Sequence, residues 1–198
     1  MRQTKLRRKP SQRRGEERVA QILDAVEALA VEAGPDGITT NSIARRAGVN
    51  VGTCYHFFAD KYEAIIAAFA RMSVEIEEAV RSATEEPPAH GEWIDHFLNL
   101  YLPVFRKHQG IATLFAALRT RTDVRQADDA LRARIVPMMT TALTQHYPNL
   151  APTKAPLVAA LVLLVVAELS TVVGYVSDDE DEVAGEIHKL VGSYLAGW

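Results

Sequence analysis

An all-α protein is the fold class that this sequence predicts, and three observations predict it. No segment sustains the period-two alternation of a half-buried strand, and no internal repeat appears. Apolar residues return at three- and four-residue intervals, and glycine, proline and polar clusters punctuate the chain about once per helix. The 198 residues, 48% of them hydrophobic, suffice for the core of one larger domain or two small ones.

The first helix is predicted over residues 16–33, with Val19, Ile22, Leu23, Val26, Leu29 and Ala30 on one face and Gly34-Pro35 ending it. Short helices follow over 39–47 and 50–57, then a longer one over 60–83. The stretch TEEPPAHG at 84–91 is the candidate boundary between a small amino-terminal domain, 16–83, and a larger carboxy-terminal one, 91–198. Beyond it, helices are predicted over 92–107, 110–120, 123–146, 156–176 and 182–196. Pro103 and Pro137 fall inside two of these, where each removes a backbone donor and crowds a carbonyl, so both helices are expected to kink.

The net charge of −3 conceals a lopsided distribution. Arg2, Lys5, Arg7, Arg8, Lys9, Arg13 and Arg14 stand in an amino-terminal arm, 1–15, that has no acid before Glu16. Such an arm points to a polyanion, either nucleic acid or an anionic membrane surface; a solvated tail is the plainer reading. A single cysteine excludes an intramolecular disulfide framework, and no apolar leader follows the basic residues, so a reducing cytoplasm is expected.

The segment NVGTCYHFF, residues 50–58, carries the most information. Wound at about 100° per residue with Cys54 inward, it places Asn50, Val51, Phe57 and Phe58 near the buried side. Gly52 and His56 lie opposite, with Thr53 and Tyr55 on the flanks. Asn50 can cap this helix, its free amides favour an anion, and Gly52 admits a close backbone. The preceding ITTNSIARRAGV offers Thr39 as a cap, Ile43, Ala44 and Ala47 as an apolar face, and Gly48 to turn the chain. A small alanine and a turn glycine four residues apart, followed by a short helix, fit a helix-turn-helix whose second helix enters the major groove. An ordinary hairpin inside a helical bundle would not need the polar outer face.

On these residues the stretch from 16 to about 80 resembles the amino-terminal domain of the TetR family of transcriptional regulators. Gly37-Ile38-Thr39-Thr40, Ile43-Ala44, Ala47-Gly48-Val49, Gly52-Thr53, Tyr55, Phe58 and Asp60-Lys61 carry the resemblance in order and spacing. It implies a homodimer whose recognition helices read successive major grooves of a palindromic operator on double-stranded DNA, as a repressor released by a small-molecule effector. It also implies DNA-binding roles for Thr39, Thr40 and Asn41 at the start of the supporting helix and for Val51, Gly52 and Thr53 at the start of the recognition helix. Tyr55 and Lys61 match phosphate contacts, and His56 occupies a position that can reach a base. Cys54 replaces a common leucine and fits the inward direction, as a small buried hydrophobe, with a reactive redox thiol as the alternative. Asp60-Lys61-Tyr62-Glu63 reads independently as a capped helix start, which leaves a solvated Lys61 as the alternative to phosphate contact.

The carboxy-terminal region is less explicit. Val183, Ile187, Leu190, Val191, Tyr194 and Leu195 form one helical stripe, and PLVAALVLLVVAELSTVVGYV is apolar almost all round. Packing these last two helices on their copies would make a four-helix dimer interface, as the resemblance also implies. Trp93, Phe97, Tyr101 and Phe105 share a face at four-residue spacing. Together with Phe115, Arg119, Met138 and Glu168 they are the candidates for an apolar effector pocket. A charged Glu168 calls for an arginine such as Arg119 or Arg134, polar groups across the dimer, or a cationic or hydroxylated ligand, with solvent exposure as the plainer reading.

Competing functions find less support. The apolar run 157–167 is shorter than a membrane span and is followed by Glu168, Ser170, Thr171 and Gly174. His56, His90, His96, His108, His146 and His188 show no metal-ligand spacing, and neither a phosphate loop nor a nucleophile elbow occurs; no cofactor, metal or catalytic residue is expected. A membrane-surface adaptor using the basic arm and the apolar helix, or a small helical enzyme, remain the alternatives to a DNA-binding regulator.

Overall fold

The computed structural model describes residues 13–85, 93–171, 177 and 179–198. Most of the basic arm, most of the break at 84–91, His90 and the end of the apolar segment at 172–176 lie outside the described residues. The described residues carry nine helices: α1 (Arg13–Gly37), α2 (Thr40–Arg46), α3 (Val51–Phe57), α4 (Lys61–Glu85), α5 (Trp93–Lys107), α6 (Gln109–Ala117), α7 (Thr122–His146), α8 (Ala155–Leu169) and α9 (Glu180–Leu195).

The chain divides into two compact units, Met1–Met72 with His108–Ala127, and Ser73–Lys107 with Asp128–Trp198. The division falls within α4 and α7, and it gathers α6 with the amino-terminal helices, whereas the sequence reading divides the chain at the proline-rich break. In the first unit, α1 buries Ile22, Leu23, Ala25, Val26, Leu29 and Ala30, the face expected from periodicity with Val19 left at its edge. This helix is interrupted at Gly34, whose φ of 60° lies in the left-handed region that favours glycine, and Pro35 follows. α6 packs closely on α1 because Gly110 has no side chain: a Cβ there would lie 2.9 Å from the Val31 backbone nitrogen and 3.1 Å from the Ala30 Cβ. Phe115 of α6 stacks on Phe69 of α4 with centroids 3.6 Å apart.

Side chains also tie these helices together. Arg71 of α4 pairs with Asp24 and Glu27 of α1, both at 2.7 Å, and Glu27 Oε1 lies 3.2 Å from Nδ1 of buried His108, which precedes α6. One carboxylate thus joins three elements.

The second unit is built around an aromatic column on α5. Trp93, Phe97, Tyr101 and Phe105 are all buried, with successive ring centroids 5.7, 4.9 and 5.1 Å apart. Trp93 stacks on His146 at 5.4 Å and donates its indole N–H to the Ala83 carbonyl at 2.8 Å. α5 also packs on α9, where Arg106 pairs with Glu180 and Asp181 and His188 Nδ1 lies 3.0 Å from Asp95 Oδ1. α8 buries Val158, Ala159, Val162, Leu163 and Val166 yet leaves Leu157 and Leu161 exposed, and α9 exposes Leu190 and Tyr194. Pro103 and Pro137 both sit inside helices, α5 and α7. Within the described residues no helix is long and apolar enough to cross a membrane.

Candidate nucleic-acid interface

Two short helices and the first turn of a third make the candidate interface, and local hydrogen bonds specify each. Thr39 caps α2 in a reciprocal box: its hydroxyl accepts from the Ser42 amide at 3.0 Å while Ser42 Oγ accepts from the Thr39 amide at 2.8 Å. The helix ends in a Schellman turn, with Val49 N–H donating to the Ala44 carbonyl and Gly48 N–H to that of Arg45. Gly48 takes a φ of 66°, which is why a glycine stands there. Ile43 and Ala44 are buried, and the small side chain of Ala44 permits close contact between α2 and α3.

Asn50 caps α3 through Oδ1, which accepts from the Thr53 amide at 2.8 Å and from the Thr53 hydroxyl at 3.1 Å. The same oxygen would lie 3.2 Å from a Cβ at position 52, so Gly52 leaves room for the cap as well as for an incoming backbone. Cys54, Phe57 and Phe58 are buried, and burial pushes the Cys54 thiol above its ordinary pKa, which removes thiolate character. Val51 and Tyr55 are 39% and 48% exposed, although helical winding set Val51 on the inner side. The first residue of a helix has no preceding turn to cover it, and that accounts for the difference. His56 is exposed and meets Phe57 edge-on at 4.9 Å.

α4 begins with a complete cap: Asp60 Oδ1 accepts from the amides of Tyr62 and Glu63 at 2.8 and 3.0 Å, and Glu63 Oε2 accepts from the Ala59 amide at 2.6 Å. Lys61, read from sequence as a phosphate contact or a solvated lysine, has a task that neither reading contains. Its ammonium donates to the Ile38 carbonyl at 2.8 Å and reaches that of Pro35 at 3.4 Å, which ties α4 to the chain entering α2. Three ammonium protons leave it capacity for a further acceptor.

The sequence-read effector candidates are only partly brought together. Trp93, Phe97, Tyr101 and Phe105 form the column, and Met138 is half-buried beside fully buried Met139 in the same unit. Burial drives the Tyr101 phenol well above its ordinary pKa, so it stays protonated, with Arg132 and Asp128 close enough to act on it. Glu168 is half-buried on α8 in this unit too, whereas Arg134 is engaged elsewhere, its Nε 2.7 Å from Glu77 Oε2. Phe115 and Arg119 belong to the first unit. Helix α6 buries Ile111, Leu114 and Phe115 against α1 and α4, a partner choice that no local pattern announces.

Sequence reasoning missed two groups. The Arg71–Glu27–His108 cluster is spread over 81 residues of chain, and spacing holds no signal of it. Arg121, in the corner between α6 and α7, lies with its guanidinium carbon 3.5 Å from the Tyr62 ring centroid. Only its position in the arginine-rich LRTRTDVR hinted at a role.

A capped pair of short helices, turning on a left-handed glycine and presenting the outer face of the second, defines a helix-turn-helix DNA-binding regulator. Residues 22–68 match the profile of bacterial regulatory proteins of the tetR family, and residues 90–195 match that of the tetracyclin repressor-like carboxy-terminal domain. The chain belongs to the TetR family of transcriptional regulators. It is 38% identical over 72 residues to the HTH-type transcriptional repressor KstR of Rhodococcus jostii (strain RHA1), a match covering 36% of this chain and 32% of that protein. The chain therefore spans about a third of the length of this curated relative. Among solved structures it resembles the fatty acid degradation regulator FadR from Bacillus halodurans (TM-score 0.72, 19% identity, 93% of this chain and 96% of that one). It also resembles FadR from Bacillus subtilis in complex with stearoyl-CoA (TM-score 0.71, 18% identity, 87% and 96%). At these identities the likeness is one of fold.

Proposed function

We propose that the protein is a homodimeric repressor that binds a palindromic operator on double-stranded DNA and is released by a small-molecule effector. The observation that carries this reading is the sorting of α3. Cys54, Phe57 and Phe58 anchor it, while Val51, Gly52, Thr53, Tyr55 and His56 are left outward beside the capped start of α2. In this reading Thr39, Thr40, Asn41, Thr53 and Tyr55 meet phosphate or sugar, Gly52 and Val51 allow close approach, and His56 reads a base edge. Lys61 does double duty: it holds the Ile38 carbonyl and offers its remaining donor to phosphate. The arm residues add salt-sensitive affinity.

The carboxy-terminal region, 91–198, serves as the effector-binding and dimerisation domain. Exposed Leu157, Leu161, Leu190 and Tyr194 on α8 and α9 support a second copy as the cover for those helices. An apolar effector is favoured by the buried aromatic column, and a solved relative of this fold is described as a complex with stearoyl-CoA. Effector binding would shift the populations of dimer conformations, moving the recognition helices off the spacing of adjacent major grooves, about 34 Å.

The test is selection of genomic fragments in excess random DNA at moderate salt, followed by footprinting. Recovery of a palindromic site is expected, and recovery of none would sink the reading. At single-residue level, His56→Ala should relax base preference at one position, whereas Lys61→Ala should weaken all sequences alike. The opposite assignment of effects would show the two roles exchanged.

A further inference from the structure

The corner between α6 and α7 bears a basic side chain engaged on two sides. Arg121 places its guanidinium carbon 3.5 Å from the Tyr62 ring centroid, a cation–π stack, and donates from Nε and Nη2 to the two carboxylate oxygens of Asp123 at 3.1 and 2.8 Å. The Lys61 ammonium lies 5.2 Å from the same centroid, and Asp60, the cap of α4, is close enough to act on Arg121 electrostatically. Two cations from segments sixty residues apart in sequence thus flank one tyrosine at the start of α4.

An arginine paired only for stability at a surface contributes little, because solvent screens the pair and the side chain loses entropy. Here the fork is oriented by the stack and by Asp123, so a further acceptor would meet a donor part of whose ordering cost is already met. Five N–H groups are available to a guanidinium and Asp123 takes two of them. The side chain remains 36% exposed, and Arg125, one turn along α7 and also exposed, continues the basic edge. Asp60 is held in its place as the cap of α4, with Oδ1 accepting from two amides of that helix.

We propose that Arg121 is a phosphate contact of the DNA-binding face, contributed by the α6–α7 corner and not by the helix-turn-helix. Stacked on Tyr62 beside Lys61, it adds one further cation to the phosphate contact assigned to Lys61 at the start of α4. The inference rests on the operator-binding reading above and adds a contact that the helix-turn-helix alone would lack.

The experiment titrates the full-length protein, wild type and Arg121→Gln, against a selected operator duplex at several KCl concentrations and compares slopes of log K against log salt. Each phosphate contact contributes about 0.9 to that slope, so Arg121→Gln is expected to flatten it by about 0.9 per protomer. Arg121→Lys, which keeps the charge but loses the fork, should retain most of the slope at reduced affinity. Arg121→Met, which keeps the aliphatic stem on the ring, serves if the glutamine variant does not fold. An unchanged slope in a folded, uncharged variant overturns the proposal, even if affinity falls uniformly, because a merely structural stack would behave in that way. A wild type that selects no palindromic DNA overturns the underlying reading and this one with it. A steep wild-type slope left unaltered in the variants overturns this one alone.

Discussion

Helices α3 and α8 show opposite relations between pattern and role. In α3, seven residues are divided cleanly, with Cys54 and Phe57 inward and Tyr55 and His56 outward, because the helix meets protein on one side and solvent on the other. In α8, fifteen residues are apolar almost throughout; five valine, alanine and leucine positions between Val158 and Val166 are buried while Leu157 and Leu161 are exposed. A stripe of periodic polarity states a function only where a helix has a single packed face. Where neighbours lie on several sides, the pattern reports burial and leaves the neighbours unnamed.

The units differ in the same way in what holds them. The first adds caps, a Schellman turn and a lysine that reaches backbone to its buried side chains, whereas the second is centred on a column of four buried rings on one helix. Phe97→Ala should therefore produce the largest loss, about 3–5 kcal/mol for deleting a fully buried phenylalanine, since the ring is enclosed between Trp93 and Tyr101. A urea-midpoint shift measures it, and a loss below about 1 kcal/mol would mean that the column can collapse around the gap. Next comes Gly110→Ala. The new Cβ would meet the Val31 nitrogen at 2.9 Å, so α6 must retreat from α1, an overpacking cost of about 1–3 kcal/mol. Helix propensity offsets up to about 1 kcal/mol of that. A stabilised variant in the same urea titration would show that the two helices yield more easily than their separation suggests.

Much of the first unit was legible in the sequence. Thr39, Asn50 and Asp60 were recognisable caps because capping is local, decided within three or four residues, and Gly48 was recognisable because left-handed backbone selects glycine. Once Cys54 was set inward, helical geometry placed Phe57 and Phe58 on the same buried side, while Val51 escaped it at a helix end. Legibility stopped where partners are distant. That Lys61 reaches back to Ile38, that Glu27 gathers Arg71 and His108, and that Phe115 stacks on Phe69 are consequences of tertiary packing between segments tens of residues apart. The sequence reading assigned Phe115 to the effector candidates by composition, and composition cannot choose among apolar surfaces.

Asn50 offers a way to separate stability from recognition within α3. Alanine at this position removes the acceptor of the Thr53 amide and hydroxyl, at a cost of about 1 kcal/mol in a typical cap. Aspartate would keep the acceptor and the stability while placing a negative charge beside the surface assigned to phosphate. The expected order of operator affinity is asparagine, then alanine, then aspartate, with urea midpoints ordering aspartate above alanine. Fluorescence anisotropy on an operator duplex supplies the first ranking. If aspartate bound as tightly as asparagine, the start of α3 would not lie against a polyanion, and the polar side of the comparison between α3 and α8 would lose its functional meaning.

The smallest expected effect tests the aromatic side. Burial against Trp93 holds the pKa of His146 below its ordinary value of 6.5, because charging the ring in the stack costs solvation. The unfolded chain consequently takes up the proton first as pH falls. Stability from this group is complete above the unfolded pKa and is lost as pH drops through it toward the lower folded value. The position of His146 in the last turn of α7 works the other way, since a cation is favoured at a helix carboxy terminus, and it limits the size of the loss. His146→Phe keeps a ring on Trp93 and removes the titration, so its urea midpoint should fall less than that of wild type between pH 7.5 and pH 5.5. Carboxylates shared by both proteins cancel in that comparison. An equal fall in the two would mean that His146 charges within the stack as readily as in water, and the column would then be more open at its Trp93 end than its buried rings imply.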